Sequence, residues 1–125
     1  MKPTYPRLPD AELEVMKALW SLDHYPAHTG EIAQKLDRDW KAPTLLKLLS
    51  RLEERRFVAG TKEGRANAYT PLVKEADYLA SESRSFLERL HGGSLSSLVV
   101  SLYPDAKLTE EDVAALERIL GKGEK

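Results

Sequence analysis

The chain has 125 residues, 42% of them apolar and 31% charged, with a net charge of −1 and no cysteine. That length buries one modest core plus a small appended element and excludes two large domains. Disulfides and thiolate metal sites are excluded, no apolar run approaches the ~20 residues of a membrane span, and Met1–Arg7 lacks the apolar centre of a signal peptide, so a cytoplasmic protein is expected.

In chain order, Asp10 can cap a first helix, with Glu12 and Glu14 near its positive end and Leu13, Met16, Leu19 and Trp20 on its apolar face. Pro26 and Gly30 break the chain. Thr29 can cap a short second helix carrying Ile32, Ala33 and Leu36, and Asp37, Arg38 and Asp39 turn into a third.

The third helix starts near Ala42, because Pro43 suits a first turn where its missing N–H costs nothing. Leu45, Leu48, Leu49 and Leu52 recur at i, i+3, i+4 and i+7 and form a stripe to be buried, while Pro43, Lys47, Ser50 and Glu54 point away and Thr44, Leu46 and Arg51 flank it. Two strand-like runs come next, 57–61 and 66–70, joined by Lys62, Glu63, Gly64 and Arg65. Helix, helix and basic hairpin in this order read as a winged helix-turn-helix: a recognition helix for the DNA major groove and a wing whose cations reach phosphate. The residues assigned to DNA are Trp40, Pro43, Thr44, Leu46, Lys47, Ser50, Arg51, Lys62 and Arg65. Alternatively the helix is an ordinary amphipathic one with a solvated face, or the module binds protein, for which Leu46 would be an exposed apolar anchor instead of a contact to a thymine methyl.

Charge divides along the chain. Residues 1–72 carry 12 Lys/Arg against 10 Asp/Glu, residues 73–125 carry 7 against 10, and the stretch 38–65 carries 8 against 4. Positive charge thus gathers on the candidate DNA surface, and the acidic second part has no attraction for phosphate.

That second part reads as helical. Ala76, Leu79, Ser83, Phe86, Leu87 and Leu90 line one side of a helix ended by Gly92 and Gly93; Leu95, Leu98, Val99 and Leu102 line a second, from Ser94 to before Pro104; and Val113, Leu116, Ile119 and Leu120 line a third, capped by Thr109 and Asp112 and stopping at Gly121. Three short helices with strong apolar faces call for a partner surface, and a second copy supplies one; the alternative is that they pack back on the winged domain. Expected, then, is a mainly α fold: a winged helix-turn-helix over 1–72 and a dimerisation region over 73–125 using Leu79, Phe86, Leu87, Leu90, Leu95, Leu98, Val99, Leu102, Leu116, Ile119 and Leu120.

Catalytic signals are missing: there is no cysteine, no Gly-rich phosphate loop and no Gly-x-Ser-x-Gly elbow, so no enzyme and no cofactor are expected. His24 and His28 have metal-pair spacing, but Pro26 between them argues for a loop, and His91 belongs to a helix end.

Leu13 to Met16 with Leu19 and Trp20, Gly30 to Ala33, Trp40 with Thr44 and Leu48 to Leu52, Gly64 and Arg65 with Tyr69, and Phe86, Leu87, Leu90, Gly92 and Gly93 with Ser97, Leu98 and Val99 together resemble the penicillinase and methicillin-resistance repressors of the BlaI/MecI type, relatives of the copper-responsive repressors. The resemblance covers nearly the whole chain. It implies a homodimeric winged-helix repressor on an inverted-repeat DNA operator, governing β-lactam resistance or a related stress response. It also implies dimerisation by the C-terminal helices and release when a membrane-sensor pathway leads to cleavage inside them. The chain departs from the pattern in three places. Pro43 and Leu46 stand where the antibiotic-resistance members have basic residues, Ser101 and Leu102 stand at the position of their cleaved Asn-Phe bond, and the cysteine-rich tail of the copper-responsive members is replaced by Gly121–Lys125.

Overall fold

The computed structural model describes residues 4–102 and 108–123. Among them the elements run α1 (Asp10–Trp20), β1 (Ala27–His28), α2 (Thr29–Lys35), α3 (Ala42–Glu54), β2 (Val58–Glu63), β3 (Ala66–Pro71), α4 (Glu75–His91), α5 (Leu95–Leu102) and α6 (Glu110–Gly123). They fall into two units, 1–83 and 84–125. The division lies inside α4 instead of after residue 72, because Tyr78 and Ser81 on its first turns are buried in the first unit's core.

The first unit is built on the third helix. Of the stripe, Leu45, Leu49 and Leu52 are buried in one cluster with Val15, Met16 and Leu19 of α1 and Ile32 of α2, while Leu48 is half-buried at its edge. Pro43 lies in the first turn, as expected, and Lys41 occupies the cap position. The other two caps differ from expectation. Pro9 precedes α1 and its carbonyl accepts the Leu13 N–H at 2.9 Å, so Asp10 becomes a first-turn acid favoured by the helix dipole. His28, not Thr29, precedes α2, and Glu31 Oε1 accepts its N–H at 2.9 Å in a capping box.

A tight turn ends α3. Arg56 takes a left-handed conformation (φ 64), its N–H reaching Glu53 O at 3.0 Å while the Phe57 N–H reaches Leu52 O at 2.9 Å. This is a Schellman closure, with buried Leu52 and Phe57 as its apolar pair. It delivers the chain straight into β2.

The sheet has the order β1-β3-β2, all antiparallel. Lys62 and Glu63 pair with Asn67 and Ala66, so the expected four-residue connection shrinks to Gly64 and Arg65, with Gly64 at φ 65. A two-residue hairpin needs a positive φ there, which glycine supplies without strain. β1, in the segment where Pro26 argues for a loop, adds a third strand.

An aromatic group closes the unit. Tyr78 meets Phe57 edge-on (5.6 Å between centroids) and lies 6.0 Å from Trp20, while Tyr5 lies 6.0 Å from Phe57. The Leu8 N–H donates to Tyr78 Oη at 2.9 Å, the Tyr5 N–H donates to Ser81 Oγ at 2.8 Å, and Trp20 Nε1–H donates to Val73 O at 2.9 Å.

In the second unit Gly92 and Gly93, both at positive φ, end α4, and Ser94 Oγ caps α5 by accepting the Ser97 N–H at 3.1 Å. The expected capping box is present at α6, Thr109 N–H to Asp112 Oδ2 at 3.1 Å and Asp112 N–H to Thr109 Oγ1 at 3.0 Å. Helix α6 passes through Gly121 to Gly123 instead of stopping. Glycine costs a helix about 1 kcal/mol against alanine but keeps its N–H, so it weakens without breaking. Pro104 and the Leu120 side chain lie outside the described residues.

Tyr78→Phe removes the acceptor for a buried N–H while conserving the ring, so the first unit should lose about 1–3 kcal/mol. The urea midpoint of the full chain measures this, and an unchanged midpoint would mean that the hydroxyl contributes nothing.

Candidate nucleic-acid interface

Burying one face of α3 leaves the opposite face outward. Pro43, Thr44, Leu46, Lys47, Ser50 and Arg51 are all exposed, and Lys62 and Arg65 are exposed on the hairpin. The structure therefore gathers the sequence-assigned residues on α3 and the wing at the surface, with one exception. Trp40 is half-buried against the core, and the Arg38 guanidinium lies 5.7 Å from its ring centroid.

Ion pairing sorts the cations. Arg38 makes a two-pronged contact with Glu14 of α1, Nε–H and Nη2–H each donating at 2.9 Å, and this bond holds the Glu14 carboxyl below its ordinary range. Arg55 Nε–H donates at 2.7 Å to Glu12, whose side chain is 1% exposed. These two arginines fasten both ends of the turn-and-helix segment to α1. By contrast, Lys41, Lys47, Arg51, Arg56, Lys62 and Arg65 enter no ion pair among the described residues. The sequence reading missed Lys41, an exposed cation one residue before α3, whose signal was its position just ahead of Pro43.

The wing sits close to α3. A Cβ on Gly60 would lie 3.0 Å from the Glu53 carboxylate oxygens, the flexible end of an exposed side chain. Tyr69, opposite Gly60 on β3, has its hydroxyl pushed up by burial, with the Glu53 charge adding to the effect.

A chain of carboxylates and imidazoles crosses the start of α2. His24 Nδ1 lies 3.0 Å from Asp23 Oδ1 and its Nε2 lies 2.5 Å from Glu31 Oε2; His28 Nδ1 lies 3.3 Å from Glu31 Oε1. Both carboxylates raise the His24 pKa, Asp23 most. Glu31 is pulled down to about 2, first by the His28 N–H and then by His24. Among the described residues no group of three His, Cys, Asp or Glu side chains has a metal-holding arrangement.

Of the expected pairing residues, Leu79 in the first unit and Phe86, Leu90, Leu95, Val99, Leu102 and Ile119 in the second are exposed, while Leu87, Leu98 and Leu116 are half-buried. No α5 residue is buried. Leu95, Val99, Val100, Leu116 and Ile119 line an open apolar hollow of about 370 Å³. Ser101 and Leu102 form the exposed last turn of α5, with Ser101 Oγ–H donating to Leu98 O at 2.7 Å. His91 ends α4, with Nδ1 2.9 Å from Ser97 Oγ.

The His24 shift gives a signed pH dependence. A raised histidine pKa stabilises fully below its ordinary 6.5 and loses this as pH rises through the folded value; a lowered Glu31 stabilises above its ordinary 4.5 and loses this as pH falls toward 2. The melting-temperature advantage of wild type over His24→Gln should therefore be largest between those two ordinary values and shrink in alkali. An advantage that grows in alkali would contradict the assignment.

The penicillinase repressor family model matches residues 8–122. The chain is 37% identical over 117 residues to the penicillinase repressor of Bacillus licheniformis, spanning 92% of this chain and 90% of that one. It is 29% identical over 112 residues to the methicillin resistance regulatory protein MecI of Mammaliicoccus sciuri, spanning 90% and 91%. Among solved structures, the DNA-binding domain of the repressor BlaI matches with a TM-score of 0.50 and 39% identity, over 62% of this chain and 94% of that one. With a family match running almost from end to end, and a fold shared with that domain, the chain belongs to the penicillinase repressor family.

Proposed function

We propose that the chain is a DNA-binding transcriptional repressor that holds an inverted-repeat operator as a homodimer. The observation that carries the reading is the outward face of α3 beside the wing, where Lys41, Lys47, Arg51, Lys62 and Arg65 are exposed and free of ion pairs among the described residues. Arg38 and Arg55, the other prominent cations nearby, are held by α1. Such a surface meets a polyanion without first breaking internal bonds. The relatives' names, penicillinase repressor and methicillin resistance regulator, point to the same activity.

Within this reading α3 enters the major groove with its first turns foremost, Thr44 and Lys47 presenting hydrogen-bonding groups and Leu46 an apolar contact suited to a thymine methyl. Arg51 and the wing cations take phosphate, which fixes register without reading sequence. The apolar side chains left open on α4, α5 and α6 suit burial against a second copy, and a two-fold dimer calls for half-sites one helical turn, about 34–36 Å, or a multiple of it apart. Cleavage at Ser101–Leu102 would cut the last turn of α5 from α6 and weaken that pairing, once local unfolding had exposed the bond.

Fluorescence anisotropy with a DNA duplex, read across salt concentrations, tests the interface, and sedimentation of the same mixtures counts two chains per operator. Lys62→Ala and Arg65→Ala should each weaken binding to every sequence and lower the log–log salt slope by about one unit. Unchanged slopes in both variants would take the wing out of the interface.

A further inference from the structure

The wing has a weak point that the sheet explains. Residues 61–66 are all exposed, so no core contact steadies the tip, and the β2–β3 ladder closes on itself there as a bare two-stranded ribbon. Such ribbons are marginal in water. Among the described residues, one side-chain bond or ion pair joins this tip to the rest of the unit: His28 Nε2 lies 3.0 Å from Glu63 Oε1.

Register brings the pair together. His28 on β1 is opposite Ala68 on the central strand, and Glu63 on β2 is opposite Ala66. Directly paired residues share a face, as do residues two apart on a strand, so His28 and Glu63 stand on one face with only alanine methyls of β3 between them. The imidazole is held from its other side as well. Glu31 accepts the His28 N–H at 2.9 Å, lies 3.3 Å from Nδ1, and is itself bonded to His24.

We infer that His28 is a positioning residue for the wing: anchored in the cap of α2, it holds Glu63 and thereby sets where Lys62 and Arg65 meet the phosphate backbone. The inference rests on the DNA-binding reading above and adds a part to it. Glu63 would otherwise be a liability, an acidic side chain between two cations on a surface that meets phosphate. Tied to His28, it orients those cations instead.

The test turns on a difference of sign. If Glu63 and His28 acted on DNA only as local charges, Glu63→Ala would tighten binding by removing repulsion and His28→Ala would weaken it or leave it unchanged. A latch makes both substitutions weaken binding, and makes the double variant no worse than either single one, because either change opens the same contact. Both side chains are partly exposed, so the expected loss is about 2–5-fold in affinity for a mixed-sequence duplex. Amide hydrogen exchange of the full chain without DNA gives the second reading: Thr61–Asn67 should exchange faster in both variants, while α1 and α3 keep their protection. Glu63→Ala leaves the cap of α2 intact, so its result does not depend on whether His28→Ala folds well. Tighter binding by Glu63→Ala, additive losses in the double variant, or unchanged wing exchange would each overturn the latch. If Lys62→Ala and Arg65→Ala leave the salt slope unchanged, the wing's role on DNA fails while the exchange data still decide whether the latch exists.

Discussion

The first unit depends on the burial of one stripe, Leu45, Leu49 and Leu52, continued through the left-handed turn at Arg56 to Phe57. Three leucines on one side of α3 fix the rotation of that helix, and so fix which residues face outward. The Schellman closure then fixes where β2 begins, since Phe57 must enter the core directly after Leu52. The outward face of α3 and the wing are thus two outcomes of one packing choice. The helix can roll only by exposing leucine, and the base of the wing at Phe57 and Val58 can shift only by opening the helix end.

Charge is arranged on that frame in two ways. Arg38 and Arg55 lie at the two ends of the α3 segment, and each is bonded to a glutamate of α1. Glu12 is buried, so removing Arg55 would leave an uncompensated carboxylate at the helix junction. These arginines therefore act in holding the scaffold. The remaining cations of α3 and the wing are left for an external anion, which is why a chain of net charge −1 still presents a basic surface.

Much of this was legible in the sequence because it rests on local periodicity. The α3 stripe, Pro43 in the first turn, the glycine of the wing and the Thr109–Asp112 box all declare themselves within a few residues. What escaped is what joins distant segments. Glu12 meets Arg55 and Glu14 meets Arg38 across the core, pairings that no spacing encodes. β1 has two residues, too few to show alternation, yet it carries His28. Helix α4 buries a face its leucines do not mark: Tyr78 and Ser81 enter the first core, whereas Leu79, Phe86 and Leu90, to which the leucine pattern points, are exposed. A serine and a tyrosine do not advertise burial, and their reason appears only when Tyr5 and Leu8 arrive to bond them.

The most direct test of the DNA surface is an amide chemical-shift titration of the full chain with a DNA duplex. The largest changes should fall on Lys41–Arg51 and on Lys62–Arg65, with α1 and the buried strand residues nearly silent. Changes centred on α1, or on α4 to α6 with α3 and the wing unaffected, would contradict the claim that the outward face of α3 and its wing form the DNA surface.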